Sequence, residues 1–127
     1  MPKRAEIVDP VMLIRIPKAF KLGMSDLALY EATRGVWKVG PRREHVRYAL
    51  AVYQGVVQEV YQIHHWQPAG TMRYETRSFD KARIRDRFEF VGAVAPGPIR
   101  QRYVQRSVAH YFTRGAQNPI AYIRVPL

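Results

Sequence analysis

Two tryptophans are the side chains of this sequence best suited to contact a nucleobase. Trp37 follows a predicted helix, and Trp66 ends the longest apolar run of the chain. An indole ring stacks on any base, and each stacked base contributes about 1–3 kcal/mol to binding. Large aromatic side chains also fill protein cores, so the alternative is that both tryptophans are core or lid residues.

The segment Thr33-Arg34-Gly35 and six other arginines predict contacts to phosphate. A hydroxyl, a guanidinium and a flexible backbone suit a phosphate oxygen or a base edge, although Arg34 at a helix terminus can equally lie in solvent. The other arginines predict two parts of one phosphate-binding rim, with a solvated basic face as the alternative. These rim residues are Arg42, Arg43, Arg47, Arg100, Arg102 and Arg106.

A catalytic set is conceivable in Glu59, Lys38 and Thr33. A carboxylate on an apolar strand is a candidate general base, but such a glutamate more often pairs with an arginine, here Arg47. No serine-protease spacing, phosphate-binding glycine loop or dinucleotide-binding glycine motif accompanies the set. We therefore assign no catalytic residue and keep these three as candidates.

The adjacent histidines His64 and His65 suggest a metal site only at first sight. Neighbouring residues of a strand point to opposite faces, so the pair does not readily bind one ion. No third ligand can be named, and the absence of cysteine excludes thiolate-bound zinc and iron–sulfur clusters. We expect neither a metal nor another cofactor.

The net charge is the strongest functional signal in the sequence. The sequence contains twenty-one Lys and Arg residues and ten Asp and Glu residues, which gives a net charge of +11, and sixteen of the cations are arginines. No acidic residue follows Glu89. This balance predicts a polyanionic partner, DNA or RNA before an anionic membrane surface. A genome rich in arginine codons is the alternative explanation.

Length and composition predict one domain spanning residues 1–127. A hydrophobic fraction of 47% is typical of a globular protein with a core. The apolar stretch at residues 11–16 is too short for a signal peptide or a membrane-spanning helix. We expect a soluble, cytoplasmic protein without membrane contact. Residues 1–10 are expected to form a loose arm, and residues 67–86 a variable loop or hairpin.

The run from Arg47 to Trp66 predicts the centre of the fold. Its β-branched and aromatic residues favour strands, and Gln54-Gly55 is its only breaker. Glycine adopts the positive φ of a tight turn or bulge. The run therefore predicts either two antiparallel strands or one long strand bulged at Gly55.

The remaining elements surround this centre. A buried strand is predicted at residues 11–16, stopped by Pro17, and a helix is predicted at Asp26–Arg34 with Ser25 as its N-terminal cap. A short extended piece at 36–39 and a strand at 87–95 follow. Residues 99–112 predict one helix or two short pieces, and residues 120–125 a closing strand. The string favours an α+β domain: a small, partly closed antiparallel β-barrel with two or three helices packed on it.

This order of elements resembles the PUA-like superfamily, which includes the PUA, ASCH, EVE and YTH domains. The likeness lies in a first strand, a helix, a short strand near Trp37, the strand pair around Gly55 and a later strand with Phe88-Glu89-Phe90. The GxKxxExR signature associated with ASCH domains is absent.

The resemblance implies binding of RNA or of modified bases in DNA. In EVE- and YTH-like domains aromatic residues from comparable places sandwich a flipped base, which here implies Trp37 and Trp66. A few ASCH domains are small hydrolases. The first hypothesis is a nucleic-acid-binding module that reads a modified or flipped base. The alternatives are an ASCH-type hydrolase or ribonuclease acting on RNA or a modified nucleoside, and a basic assembly protein.

Overall fold

Five strands and two α-helices make up the fold in the computed structural model, which describes residues 2–16 and 23–127. The stop expected at Pro17 lies outside these residues. Two short 3₁₀ helices, Pro41–His45 and Ala109–Tyr111, complete the set. The longer elements are β1 (Val11–Arg15), α1 (Asp26–Arg34), β2 (Tyr48–Tyr53), β3 (Val56–Pro68), β4 (Phe88–Val94), α2 (Gly97–Tyr103) and β5 (Ile120–Ile123).

The strands form one mixed sheet in the order β4-β3-β2-β1-β5. Strand β1 is parallel to β2, and all other pairs are antiparallel. The described strands leave β4 and β5 at opposite edges. The sheet is thus open, and the predicted partly closed antiparallel barrel is not confirmed. The combination of this sheet with two α-helices confirms the α+β class.

The central run folds as two strands joined by a tight turn, as the first of the two sequence interpretations predicts. Gln54 and Gly55 both have positive φ, 50° and 78°, which matches the right-handed twist of a hairpin. Strand β3 is long enough to serve two partners. Its first half pairs with β2 and its second half, ending at Pro68, pairs with β4.

Helix α1 begins and ends where the sequence predicts. The hydroxyl oxygen of Ser25 accepts a hydrogen bond of 3.1 Å from the amide of Ala28, and Asp26 lies in the first turn, where the helix dipole favours a negative charge. The helix covers one face of the sheet, where Met12, Ile14 and Phe90 are buried.

The second face is covered by α2 and the chain that follows it. Of the two interpretations for residues 99–112, the two short pieces are confirmed. The helix ends at Tyr103 because residues 105–107 turn to pair with the start of β3, which extends beyond β4. The amide of Gln105 donates to the carbonyl of Val57, and the amide of Val57 donates to the carbonyl of Arg106.

The first residues pack into this second layer, although a loose arm was expected. Ala5 and Ile7 are 3% and 1% exposed. The amide of Ala5 bonds the carbonyl of Ser107 at 2.8 Å, and the amide of Ile7 bonds the hydroxyl of Tyr111 at 3.0 Å. Two buried apolar side chains and these hydrogen bonds hold the segment in place.

The predicted extended piece at residues 36–39 is reduced to one contact with the sheet. Trp37 forms an isolated antiparallel bridge with Phe88.

None of the helices in the described part of the chain is long and apolar enough to cross a membrane.

Candidate nucleic-acid interface

Residues 69–87, which we call the basic segment, are attached to the domain by a buried carboxylate at one end. Glu89 is fully buried and accepts hydrogen bonds of 3.0 Å from the amides of Gly70 and Met72. Its carboxylate also accepts from the side-chain amide of Gln67 at 2.6 Å and lies 3.4 Å from the guanidinium of Arg34. A buried charge with this many partners is well compensated.

A second carboxylate on α1 holds the middle of the segment. Glu31, 3% exposed, accepts hydrogen bonds from the amides of Glu75 and Thr76 at 2.8 and 2.6 Å and from the hydroxyl of Thr76. Burial alone would raise the pKa of Glu31, but these hydrogen bonds outweigh it and lower the pKa. Arg77 adds bonds to the carbonyls of Glu31 and Gly35.

The basic segment is therefore an anchored loop. It contains turns and no hairpin strands, and β3 takes up residues 67 and 68 of the expected variable region. The sequence contains a signal for both anchors, namely an acidic residue among apolar positions of a strand or helix. Glu89 stands between two phenylalanines of a strand, and Glu31 adjoins the apolar positions of α1.

A cavity of about 450 Å³ opens between the end of β3, the start of β4 and the basic segment. We call it the basic groove. Two turns in the segment bring its cations to the rim, because the amide of Arg83 bonds the carbonyl of Asp80 and the amide of Arg87 bonds the carbonyl of Ile84. The lining consists of Pro68, Ala69, Gly70, Lys81, Ile84, Arg85, Asp86, Arg87 and Phe88.

Of the first predicted arginine pair, Arg43 lies beside this groove and Arg42 contacts the end of the chain. The 3₁₀ helix Pro41–His45 places the guanidinium of Arg43 3.7 Å from the ring centroid of Phe88, a residue of the groove lining. Arg43 also lies 3.7 Å from Glu44. The guanidinium of Arg42 bonds the carbonyls of Val125 and Pro126 at 2.8 and 3.2 Å.

Both tryptophans pack on the α1 face of the sheet. Trp37 is 9% exposed, and its indole N–H donates to the carbonyl of Thr33 at 2.7 Å. Trp66 is half-buried with its ring centroid 5.4 Å from that of Phe90, and its buried Nε1 has no partner among the described residues. Neither contributes to the lining of the basic groove.

Thr33 and Arg34 are inside the protein. Thr33 is fully buried and donates its hydroxyl proton to the carbonyl of Leu29. Arg34 is 1% exposed, and its Nε donates to the carbonyl of Phe90 at 3.2 Å. The expectation of a solvated Arg34 is wrong, because this side chain completes the buried network around Glu89.

None of the four remaining rim arginines lines the groove. Arg100 forms a two-bond ion pair with Glu59, at 2.7 and 3.1 Å, and Arg102 pairs with Asp9 at 3.0 Å. Arg106 is half-buried and its backbone pairs with Val57, eleven residues from the groove end of β3, which is roughly 35 Å along an extended strand. Arg47 is exposed beside the ring of Tyr48.

The structure separates the members of the catalytic set. Glu59 is paired with Arg100 and not with Arg47, the partner that the sequence suggested. Lys38 follows Trp37, which bridges to Phe88 opposite Pro68. Nine residues of β3, about 30 Å, separate that point from Glu59. No group of three metal-ligating side chains occurs among the described residues.

Comparisons with models of protein families, with curated proteins and with solved structures found no match for this chain. Its function is therefore inferred from the burial, charge and geometry of its own residues.

Proposed function

We propose that this protein is a nucleic-acid-binding module and that the basic groove is its interface with DNA or RNA. The observation that carries the proposal is the charge around the groove. Lys81, Arg85 and Arg87 line it, with Asp86 as the one carboxylate of the lining. Cations gathered at a concave surface attract a phosphate backbone and supply salt-sensitive, sequence-independent affinity.

The burial of acidic side chains supports the proposal. Glu31 and Glu89 lie inside the protein, and Arg34 is the only buried cation among the residues that the structure describes. Two of the ten acidic side chains are thus withdrawn from the surface of a chain with net charge +11. The same two carboxylates anchor residues 70–76 of the basic segment.

We also propose the more specific role of reading a modified or flipped base, with Phe88 as the aromatic side chain beside the phosphates. Phe88 is half-buried and lines the groove, and the guanidinium of Arg43 stacks on its ring. The relationship to PUA-like domains remains a proposal as well. It is supported by the α+β class and by the order of the first strand, α1 and the hairpin.

Binding of fluorescently labelled single-stranded and duplex DNA and RNA, measured by anisotropy across a salt series, tests the proposed function. We expect binding at low salt and a linear fall of log K with log salt concentration. The slope is about −0.9 per contacted phosphate for duplex DNA and about −0.7 for single strands. No binding of any of these polymers at low ionic strength would overturn the proposal.

A further inference from the structure

We infer that the basic groove takes the phosphorylated end of a nucleic-acid strand, a terminal phosphomonoester with its sugar and base. The inference rests on the proposed function and narrows it. A chain-internal phosphate and a terminal phosphate differ in charge and in the room they need, and both differences can be compared with the groove.

The charge of the groove matches a doubly charged phosphate. Three cations and one carboxylate line the cavity, which leaves a net charge of +2 from Lys81, Arg85, Arg87 and Asp86. A phosphomonoester carries about −1.5 to −2 near pH 7, whereas a phosphodiester inside a strand carries one negative charge. Arg43 adds little, because Glu44 lies beside it.

Two of the three cations have side chains available for a ligand. Lys81 and Arg85 are exposed, and no side-chain hydrogen bond or ion pair occupies them in the described part of the chain. Arg87 is half-buried and donates a long bond of 3.4 Å to the carbonyl of Val36. A guanidinium has five donors, so Arg87 can hold this carbonyl and a phosphate oxygen together.

The apolar part of the lining has no role in holding a phosphate backbone. Pro68, Ala69, Ile84 and Phe88 form it, and such side chains suit a sugar and a base. The volume of about 450 Å³ lies in the usual range of small-molecule pockets, about 300–1,000 Å³. A row of phosphates on an open track needs no such apolar surface.

The test compares three versions of one single-stranded oligonucleotide: 5′-phosphorylated, 3′-phosphorylated and hydroxyl at both ends. Binding is measured at pH 7.5 with the label at an internal position. We expect one phosphorylated version to bind about tenfold tighter than the hydroxyl version, because a charge-assisted hydrogen bond contributes on this scale. The version that gains identifies the end that is bound.

The double variant Lys81→Ala/Arg85→Ala is expected to remove this preference. The matched control is Lys3→Ala/Arg114→Ala, which deletes the same charges from exposed positions outside the groove lining and is expected to keep the preference. Circular dichroism checks that both variants are folded.

The outcomes separate the inference from the proposed function. If all three oligonucleotides bind equally well, the protein binds nucleic acid and the end-binding inference is wrong. If the preference persists in Lys81→Ala/Arg85→Ala, the end is bound elsewhere and the inference is wrong. If none of the oligonucleotides binds at low salt but a duplex does, only the end-binding inference is wrong; if no polymer of the salt series binds, the proposed function fails with it.

Discussion

Glu31 and Glu89 are two carboxylates outside the basic segment that bind its backbone. Each is buried, and each accepts hydrogen bonds from backbone amides of the basic segment. An unmatched backbone amide in a protein interior costs free energy. These two side chains thus fix the path of residues 70–76, which form neither strand nor helix.

Replacement of Glu31 by glutamine should destabilise the fold. The variant keeps the shape but turns one acceptor oxygen into an N–H donor that faces the amide donors of Glu75 and Thr76. We expect the free energy of unfolding to fall by about 1–3 kcal/mol, as for a buried donor left without a partner. Urea denaturation measures it.

The matched control is Glu75→Gln, the same change at an exposed side chain. Its effect should be within about 0.5 kcal/mol of zero. Equal losses in the two variants would show that the carboxylate of Glu31 does not anchor the segment.

Acid should remove the contribution of Glu31. Its pKa is lowered in the folded protein, so its stabilisation is present at neutral pH and is lost as the pH falls through that lowered pKa. The free energy of unfolding should therefore decline below about pH 5, and less steeply in Glu31→Gln. Denaturation series at several pH values measure both slopes, and identical slopes would contradict this role.

Residue types alone did not predict which of the candidate side chains are exposed. Arg34 was expected to contact phosphate or to lie in solvent, and Trp37 either to contact a base or to be a core or lid residue; both are buried. Burial depends on what other parts of the chain bring to the same place, in this case Glu89 from β4 and Thr33 from α1. Those contacts span up to 55 residues of sequence, which local patterns do not encode.

Among the elements, the hairpin and α1 were predictable because their signals are local. Gln54-Gly55 specifies the turn between β2 and β3, and Ser25 specifies the start of the helix. The end of α2 was not specified in this way. It is set by the bonds that Gln105 and Arg106 make with Val57.

The turn provides a test of the hairpin as an element. Gly55 has φ of 78°, and a Cβ there would lie 3.1 Å from the Cβ of Ala109. Gly55→Ala should lower the free energy of unfolding by about 1–2 kcal/mol, the usual cost of left-handed backbone for a residue with a Cβ. Thermal or urea denaturation measures it.

Gly97→Ala is the control for this substitution. Gly97 begins α2 without a positive φ, and a Cβ there would meet no atom within 4 Å. If Gly55→Ala is no more destabilising than Gly97→Ala, the tight turn does not constrain the hairpin.

For the whole molecule, the α+β class followed from the order of elements, while the open sheet did not. Strand β1 pairs in parallel with β2 and brings β5 to its other side. Strand order is a long-range property that a list of elements leaves open. The sequence gives the net charge but not where the unpaired cations lie. Arg100 and Arg102, for example, are paired with carboxylates that are distant in the sequence.

The distribution of charge makes one end of the molecule the predicted interface. The groove lies at the end of β3, at Pro68. Arg114 lies near the start of β3, because it follows the second 3₁₀ helix, and Ala109 of that helix contacts the hairpin turn at Gly55. Removing charge at the two places therefore distinguishes a localised interface from a general attraction of a basic protein to nucleic acid.

The most direct measurement is the salt dependence of nucleic-acid affinity in Lys81→Ala/Arg85→Ala beside Lys3→Ala/Arg114→Ala. The groove variant should bind more weakly, and its slope of log K against log salt should flatten by up to about 1.4 on single strands and 1.8 on duplex DNA, the contribution of two phosphate contacts. The control should remain close to the wild-type protein. Equal losses of affinity and slope in the two variants would contradict an interface at the basic groove.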